Sequence, residues 1–102
     1  MNTTKYTPGP WNRGIGQNIY QGERWDPHGN QRLIASCHPS TRTQEDWEQT
    51  WANAKFIAAA PDLLAALIEC ADYLAEFFEE GREHRVIKLA DQAIAKATGE
   101  QP

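Results

Sequence analysis

The chain changes character near residue 43, and this break constrains its fold more than any other feature. Before it, Gly, Pro and Asn punctuate short apolar runs. After it, Ala, Leu and Glu dominate. Short apolar runs between turn residues pair as strands, whereas Ala/Leu/Glu-rich sequence with apolar positions three and four apart winds into helices. The order predicts an α+β fold: a small antiparallel three-stranded β-meander over residues 7–38, packed against two to three α-helices over residues 43–98. At 102 residues the chain is long enough for a single domain spanning residues 1–102.

In the first half, Thr7-Pro8-Gly9-Pro10-Trp11 is a stiff lead-in, because two prolines fix φ and Gly9 permits a bend. It places Trp11 on the first strand. Asn18-Ile19-Tyr20-Gln21 reads as the second strand and Arg32 to Cys37 as the third. Between them, Asp26-Pro27-His28-Gly29-Asn30 carries the residues a turn needs.

In the second half, Thr43 with Asp46 three residues on matches a helix N-cap, and Glu45, Asp46 and Glu48 suit the positive end of the helix dipole. Trp47, Trp51, Ala54 and Ala58 fall on one face of that helix. Pro61 ends it and, with Asp62, starts another. Leu63, Leu64, Leu67, Ile68, Ala71, Leu74, Ala75 and Phe78 then form a broad apolar stripe, with Gly81 as its expected C-terminal stop. A last helix carries Val86, Ile87, Leu89, Ala90, Ala93, Ile94 and Ala97 and ends at Gly99. Three short strands can hardly cover both that stripe and the last helix, so the pattern predicts a homo-oligomer, dimer or higher.

Charge is unevenly divided. Residues 1–43 hold five basic and two acidic side chains; residues 44–102 hold five basic and twelve acidic, and the whole chain is −4. An acidic chain is poorly suited to double-stranded nucleic acid, whose affinity rests on neutralising phosphates. The apolar stretch from Phe56 to Ile68 is broken by Pro61 and Asp62 and is too short to span a bilayer, so no membrane partner is expected. The N-terminal MNTTKYTPGPW is polar and unlike a secretory leader, so a cytoplasmic location is expected. Cys37 and Cys70 form no CxxC pair and sit among apolar residues, the pattern of two buried free thiols.

The motifs of catalysis are missing. Cys37-His38 is adjacent, and neighbours on a strand point to opposite faces, so no metal site is expected. Ser36 and Ser40 lack a G-x-S-x-G elbow. Gly14-Ile15-Gly16 is not followed by a dinucleotide-binding unit, and no Walker motif occurs, so no cofactor is expected. The carboxylates Glu76, Glu79, Glu80 and Glu83 run along an exposed helix end, as a solvated face does. These readings predict a non-enzymatic protein with no catalytic residues.

Two groupings suit binding instead. Arg82 and Arg85, three residues apart near the start of the last helix, are placed to hold a phosphate, unless Glu79, Glu80 and Glu83 pair with them. Among the aromatics, Trp25 beside the turn and Trp11 are candidates to stack on a ligand, flanked by Asn53 and Lys55, which interrupt the apolar run of the first helix. The ligand-binding candidates are therefore Arg82, Arg85, Trp25, Trp11, Asn53 and Lys55.

The run Trp51-Ala52-Asn53-Ala54-Lys55-Phe56-Ile57-Ala58-Ala59-Ala60-Pro61-Asp62-Leu63-Leu64-Ala65-Ala66-Leu67 resembles the "ANARLIAAAPDLLEAL" signature of small phage and prophage proteins. Tyr6-Thr7-Pro8-Gly9-Pro10-Trp11 is similar to their "HTPGPW" opening. Lys55-Phe56 departs from the usual Arg-Leu, and the last helix is less alike. Most members of that group carry no assigned activity. The resemblance implies a phage origin, and small phage proteins of this kind are often accessory or anti-defence factors; the acidic helical half is expected to serve by binding and inhibiting a host protein in the bacterial cell. The alternative is an oligomeric sponge, of the kind typified by Thoeris anti-defence proteins, that sequesters a cyclic-nucleotide or cyclic ADP-ribose-like immune signal. The expected partner is thus a host protein or a small signalling nucleotide.

Overall fold

The computed structural model describes residues 6–14, 17–23 and 31–99. It contains three strands, β1 (Trp11–Arg13), β2 (Asn18–Gln21) and β3 (Leu33–Ser36), then three helices, α1 (Gln44–Ala58), α2 (Ala60–Ala75) and α3 (Arg85–Thr98), with a 3-10 turn at Gly81–Glu83. The α+β order expected from the break near residue 43 is the order observed. The chain divides into two compact units, Thr7–Pro61 and one that holds Asp62 onward.

In the first unit, β1, β2 and β3 form an antiparallel meander in that order. Trp11 pairs with Gln21 and Arg13 with Ile19 across β1 and β2. Ile19 pairs with Ala35 and Tyr20 with Leu33, which leaves Ile34 as an extra residue in β3, a β-bulge. The lead-in before β1 is held through its carbonyls, since its prolines have no N–H to give. Trp11 Nε1 donates to the Thr7 carbonyl at 3.0 Å, Gln21 Nε2 to Pro8 at 3.2 Å and the Gly22 amide to Pro10 at 2.8 Å. The Gly9–Pro10 peptide is cis. Gln17, at φ 63°, reverses the chain between β1 and β2, and the Gly14 amide closes that turn on the Asn18 carbonyl at 2.7 Å.

Helix α1 lies against β1 and β2. Its N-cap is Thr43, whose hydroxyl accepts from the Asp46 amide at 3.2 Å. Thr41 steadies this cap through hydrogen bonds to Thr43 and to the Asp46 carboxylate. The buried residues of α1 are Thr50 and Ala54, and the central strand buries Ile19 completely. The Thr50 hydroxyl stays satisfied there by donating to the Asp46 carbonyl one turn back, at 2.7 Å. Trp47, Trp51, Ala54 and Ala58 were expected to share one helical face, but not all of it is buried. Both tryptophans sit on its shoulder, about two-fifths exposed. Beside strands this short, the small side chains let the helix approach the sheet, and the indoles are displaced to the rim.

In the second unit α2 stops at Ala75, six residues before the expected stop at Gly81. The Glu76 and Phe77 amides turn back to the Tyr73 and Leu74 carbonyls at 3.2 and 3.0 Å, a tightening into 3-10 geometry. A longer helix would set Glu76, Glu79 and Glu80 at the negative end of the dipole. Phe78, expected in the helical stripe, leaves the helix and stacks on His84, with ring centroids 3.9 Å apart and planes 13° from parallel. Gly81 takes φ +56° and turns the chain toward α3. His84 caps α3, its Nδ1 accepting from the Val86 amide at 3.1 Å, and Gly99 ends α3 in the left-handed region as expected. Among the described residues of this unit, the buried apolar ones are Ala71 and Ile87.

Both cysteines are free, but neither is buried: Cys37 is half-buried and Cys70 exposed. The apolar neighbours of Cys70 in sequence lie on other faces of α2. The expected turn at Asp26–Asn30, with Trp25 beside it, and Ile15-Gly16 lie outside the described residues. Among the described residues, no helix is long and apolar enough to cross a membrane.

Candidate functional site

A concave site lies wholly within the first unit. Ser36, Cys37 and His38, at the end of β3 and just after it, form one wall; Thr50, Asn53, Phe56 and Ile57 of α1 form the other. They enclose an open groove of about 460 Å³, within the ordinary range for small-ligand sites. The α1 wall arises from spacing, since positions 50, 53 and 57 recur on one side of a helix. The β3 wall arises because regular pairing ends at Ser36. Cys37, half-buried, and His38, exposed, both line the groove. The Cys37 amide is tied to the Gln17 carbonyl at 3.3 Å, which fixes the start of this segment.

Chemically, the groove offers a thiol, an imidazole, the Asn53 amide and the Ser36 hydroxyl over an apolar floor of Ile57 and Phe56. Among the described residues no carboxylate, lysine or arginine lines it. Such a lining suits an uncharged, planar or amide-bearing group, held by hydrogen bonds from Asn53 and by contact with the Phe56 ring, which is 70% exposed. No group of three or more possible metal-ligating side chains occurs among the described residues.

The sequence-based candidates are dispersed. Asn53 lines the groove. Lys55, two residues on, is exposed and does not. Trp11 is half-buried on β1, at the opposite edge of the sheet from β3, and its indole N–H is bound by Thr7. Trp25 lies outside the described residues. In the second unit, Arg82 bridges two helices: its guanidinium meets Asp72 of α2 at 2.9 Å and Asp91 of α3 through a second, shorter pair. The hydrogen bond to Asp91 raises the Arg82 pKa above its ordinary value, and the charges of Asp91 and Asp72 add to this. The expected rivals for this arginine were Glu79, Glu80 and Glu83. Glu83 instead pairs with Lys88 at 3.1 Å. Arg85 is exposed at the first position of α3, with no ion-pair partner among the described residues.

Sequence reasoning passed over Thr50, Phe56 and Ile57. The signal was present in their spacing, but Trp47 and Trp51 drew attention to the neighbouring face.

A family model described as Salmonella phage P22 protein Y8K6 matches residues 1–101. No curated protein and no solved structure gives a significant match to this chain. A match across nearly the whole length, over both the strand-forming and the helical halves, establishes kinship: the chain belongs to the phage protein family described as Salmonella phage P22 protein Y8K6.

Proposed function

We propose that this phage protein is a non-enzymatic accessory factor that counters host defence by binding and inhibiting a protein in the cytoplasm of the infected cell. The observation that carries this reading is an imbalance of apolar surface. Among the described residues the fully buried apolar side chains are Ile19, Ala54, Ala71 and Ile87, while Phe56, Leu63, Tyr73, Phe77 and Leu89 are each more than half exposed. Large apolar side chains left in water at this density mark a surface that is covered in use. The excess of acidic over basic residues beyond position 43 adds long-range attraction to a basic partner. The test is affinity purification of the tagged protein from host cells, followed by assay of each captured protein with and without added phage protein. Capture of a host protein whose activity then falls supports inhibition. Capture that is unchanged when Glu76, Glu79 and Glu80 are all replaced by lysine counts against the acidic half as the docking side.

A second reading has its own observation. The groove beside Asn53, about 460 Å³ with an amide and an exposed aromatic ring in its lining, suits the uncharged base of a ligand of an oligomeric sponge for a cyclic-nucleotide or cyclic ADP-ribose-like immune signal, with the phosphates left to groups outside the groove. Isothermal titration against such compounds tests it, and Asn53→Ala should remove whatever heat is seen. Arg82 contributes little to this reading, because its guanidinium is already engaged by two aspartates.

A further inference from the structure

Helix α2 carries two apolar stripes, and only one is used within its unit. Leu64, Leu67, Ala71 and Ala75 form the stripe that is buried or half-buried. Beside it, Leu63, Ala66, Cys70, Tyr73 and Phe77 form a second stripe in which every residue is exposed, Leu63 by 51%, Tyr73 by 63% and Phe77 by 65%. Their steps of three and four residues are those of a coiled-coil seam. The seam continues past the helix end, because Phe77 packs on Tyr73 with ring centroids 4.7 Å apart. At 1.5 Å per residue it is about 21 Å long, enough for a partner helix of about four turns.

One flank of the seam is uniformly acidic. Asp62, Glu69 and Glu76 each directly precede a seam residue, recur every seventh position and are exposed. In a helix pair these are positions that choose the partner by charge. A second copy is a poor fit. An antiparallel pair would set the three carboxylates of one copy against those of the other. A parallel pair would press them onto the Leu67 and Leu74 side. The complement is an apolar helix edged with lysine or arginine.

We infer that the Leu63–Phe77 seam is the docking face for a basic amphipathic helix of another protein. This rests on the host-protein reading above and specifies its face and the chemistry of its partner. The seam supplies burial, with Tyr73 and Phe77 as its aromatic anchors, and the carboxylate row supplies orientation and selectivity.

The test uses the full-length protein and three synthetic helices. All share one apolar heptad stripe; their flanking positions are lysine, glutamine or glutamate. The lysine-flanked helix is expected to bind at least tenfold tighter than the glutamine-flanked one, to weaken with added salt, and to protect amides over residues 63–77 from hydrogen exchange. Glu69→Lys with Glu76→Lys should invert the order of the three helices. Tyr73→Asp should abolish binding while the protein stays folded by circular dichroism, because the side chain is 63% exposed and the charge added in the last turn of α2 costs only a modest drop in melting temperature. Glu45→Lys with Glu48→Lys, on α1, should leave binding intact. Equal binding of the lysine-flanked helix to wild type and Tyr73→Asp would overturn the inference, as would a dimer that Tyr73→Asp converts to monomer. A host protein captured equally by wild type and Tyr73→Asp would overturn this face while sparing the host-protein reading. Peptide binding that follows the expected pattern when no host protein is captured supports the face and removes that reading.

Discussion

Gly9 lies so close to Pro61 that a β-carbon added to it would fall 2.7 Å from the proline Cβ and 3.2 Å from its Cγ. The two motifs that carry the phage resemblance, one opening the strands and the other opening α2, therefore meet at this point within one compact unit. Gly9→Ala forces a separation that the adjoining prolines resist, and overpacking of this kind costs about 1–3 kcal/mol. Urea unfolding should show that loss in wild type and a smaller one in a Pro61→Gly background, where the obstructing ring is gone. An equal loss in both backgrounds would mean the clash is relieved without cost.

The His84 side chain has two separable tasks. Its Nδ1 caps α3, and its ring stacks on Phe78. Asparagine keeps the first and loses the second, whereas alanine loses both. His84→Ala should destabilise by about 1 kcal/mol more than His84→Asn, the usual worth of an N-cap. Thermal unfolding of the two variants side by side reads the difference directly.

Arg82 joins α2 to α3 through Asp72 and Asp91, all at the surface. Pairs this exposed are weakened by salt, so the destabilisation caused by Arg82→Ala should shrink as sodium chloride is added. Its pKa is raised in the folded state, which sets the sign of the pH dependence. The stabilisation is complete below the unfolded arginine value and is lost only as pH rises through the still higher folded one. Arg82→Ala should accordingly cost the same at pH 7 as at pH 10. A cost that vanished by pH 10 would place the charge elsewhere.

The two thiols should be distinguishable by rate. Cys70 is exposed and Cys37 half-buried in the groove wall. Under a thiol reagent in excess, Cys70 is expected to react first and Cys37 in a slower second phase. Phe56→Ala opens the groove beside Cys37 and should accelerate the second phase alone.

Much of the fold was legible because local chemistry and tertiary structure agree. Thr43 caps where a threonine three residues before an aspartate should, Pro61 marks the α1–α2 boundary, and Gly99 stops α3. The departures arise where size and long-range pairing outrank periodicity. Trp47 and Trp51 have the right spacing for the core but too much bulk for a helix lying on three-residue and four-residue strands. Gly81 is a good helix terminator, yet Phe78 had already left the helix to meet His84, a partner no local rule identifies. The groove was harder still. Its walls come from β3 and α1, which no local rule brings together. For the same reason Arg82 was readable as an anion holder until Asp72 and Asp91, ten and nine residues away, were seen to converge on it.

The irregular pairing of β3 affects behaviour at high concentration. Among the described residues β3 is an edge of the sheet, and Leu33 on it is 52% exposed. A straight, apolar border would invite further chains to add on in endless cross-β stacks. The unmatched Ile34 breaks the spacing that such growth requires, so this margin is a poor template for fibrils despite its greasy side chain.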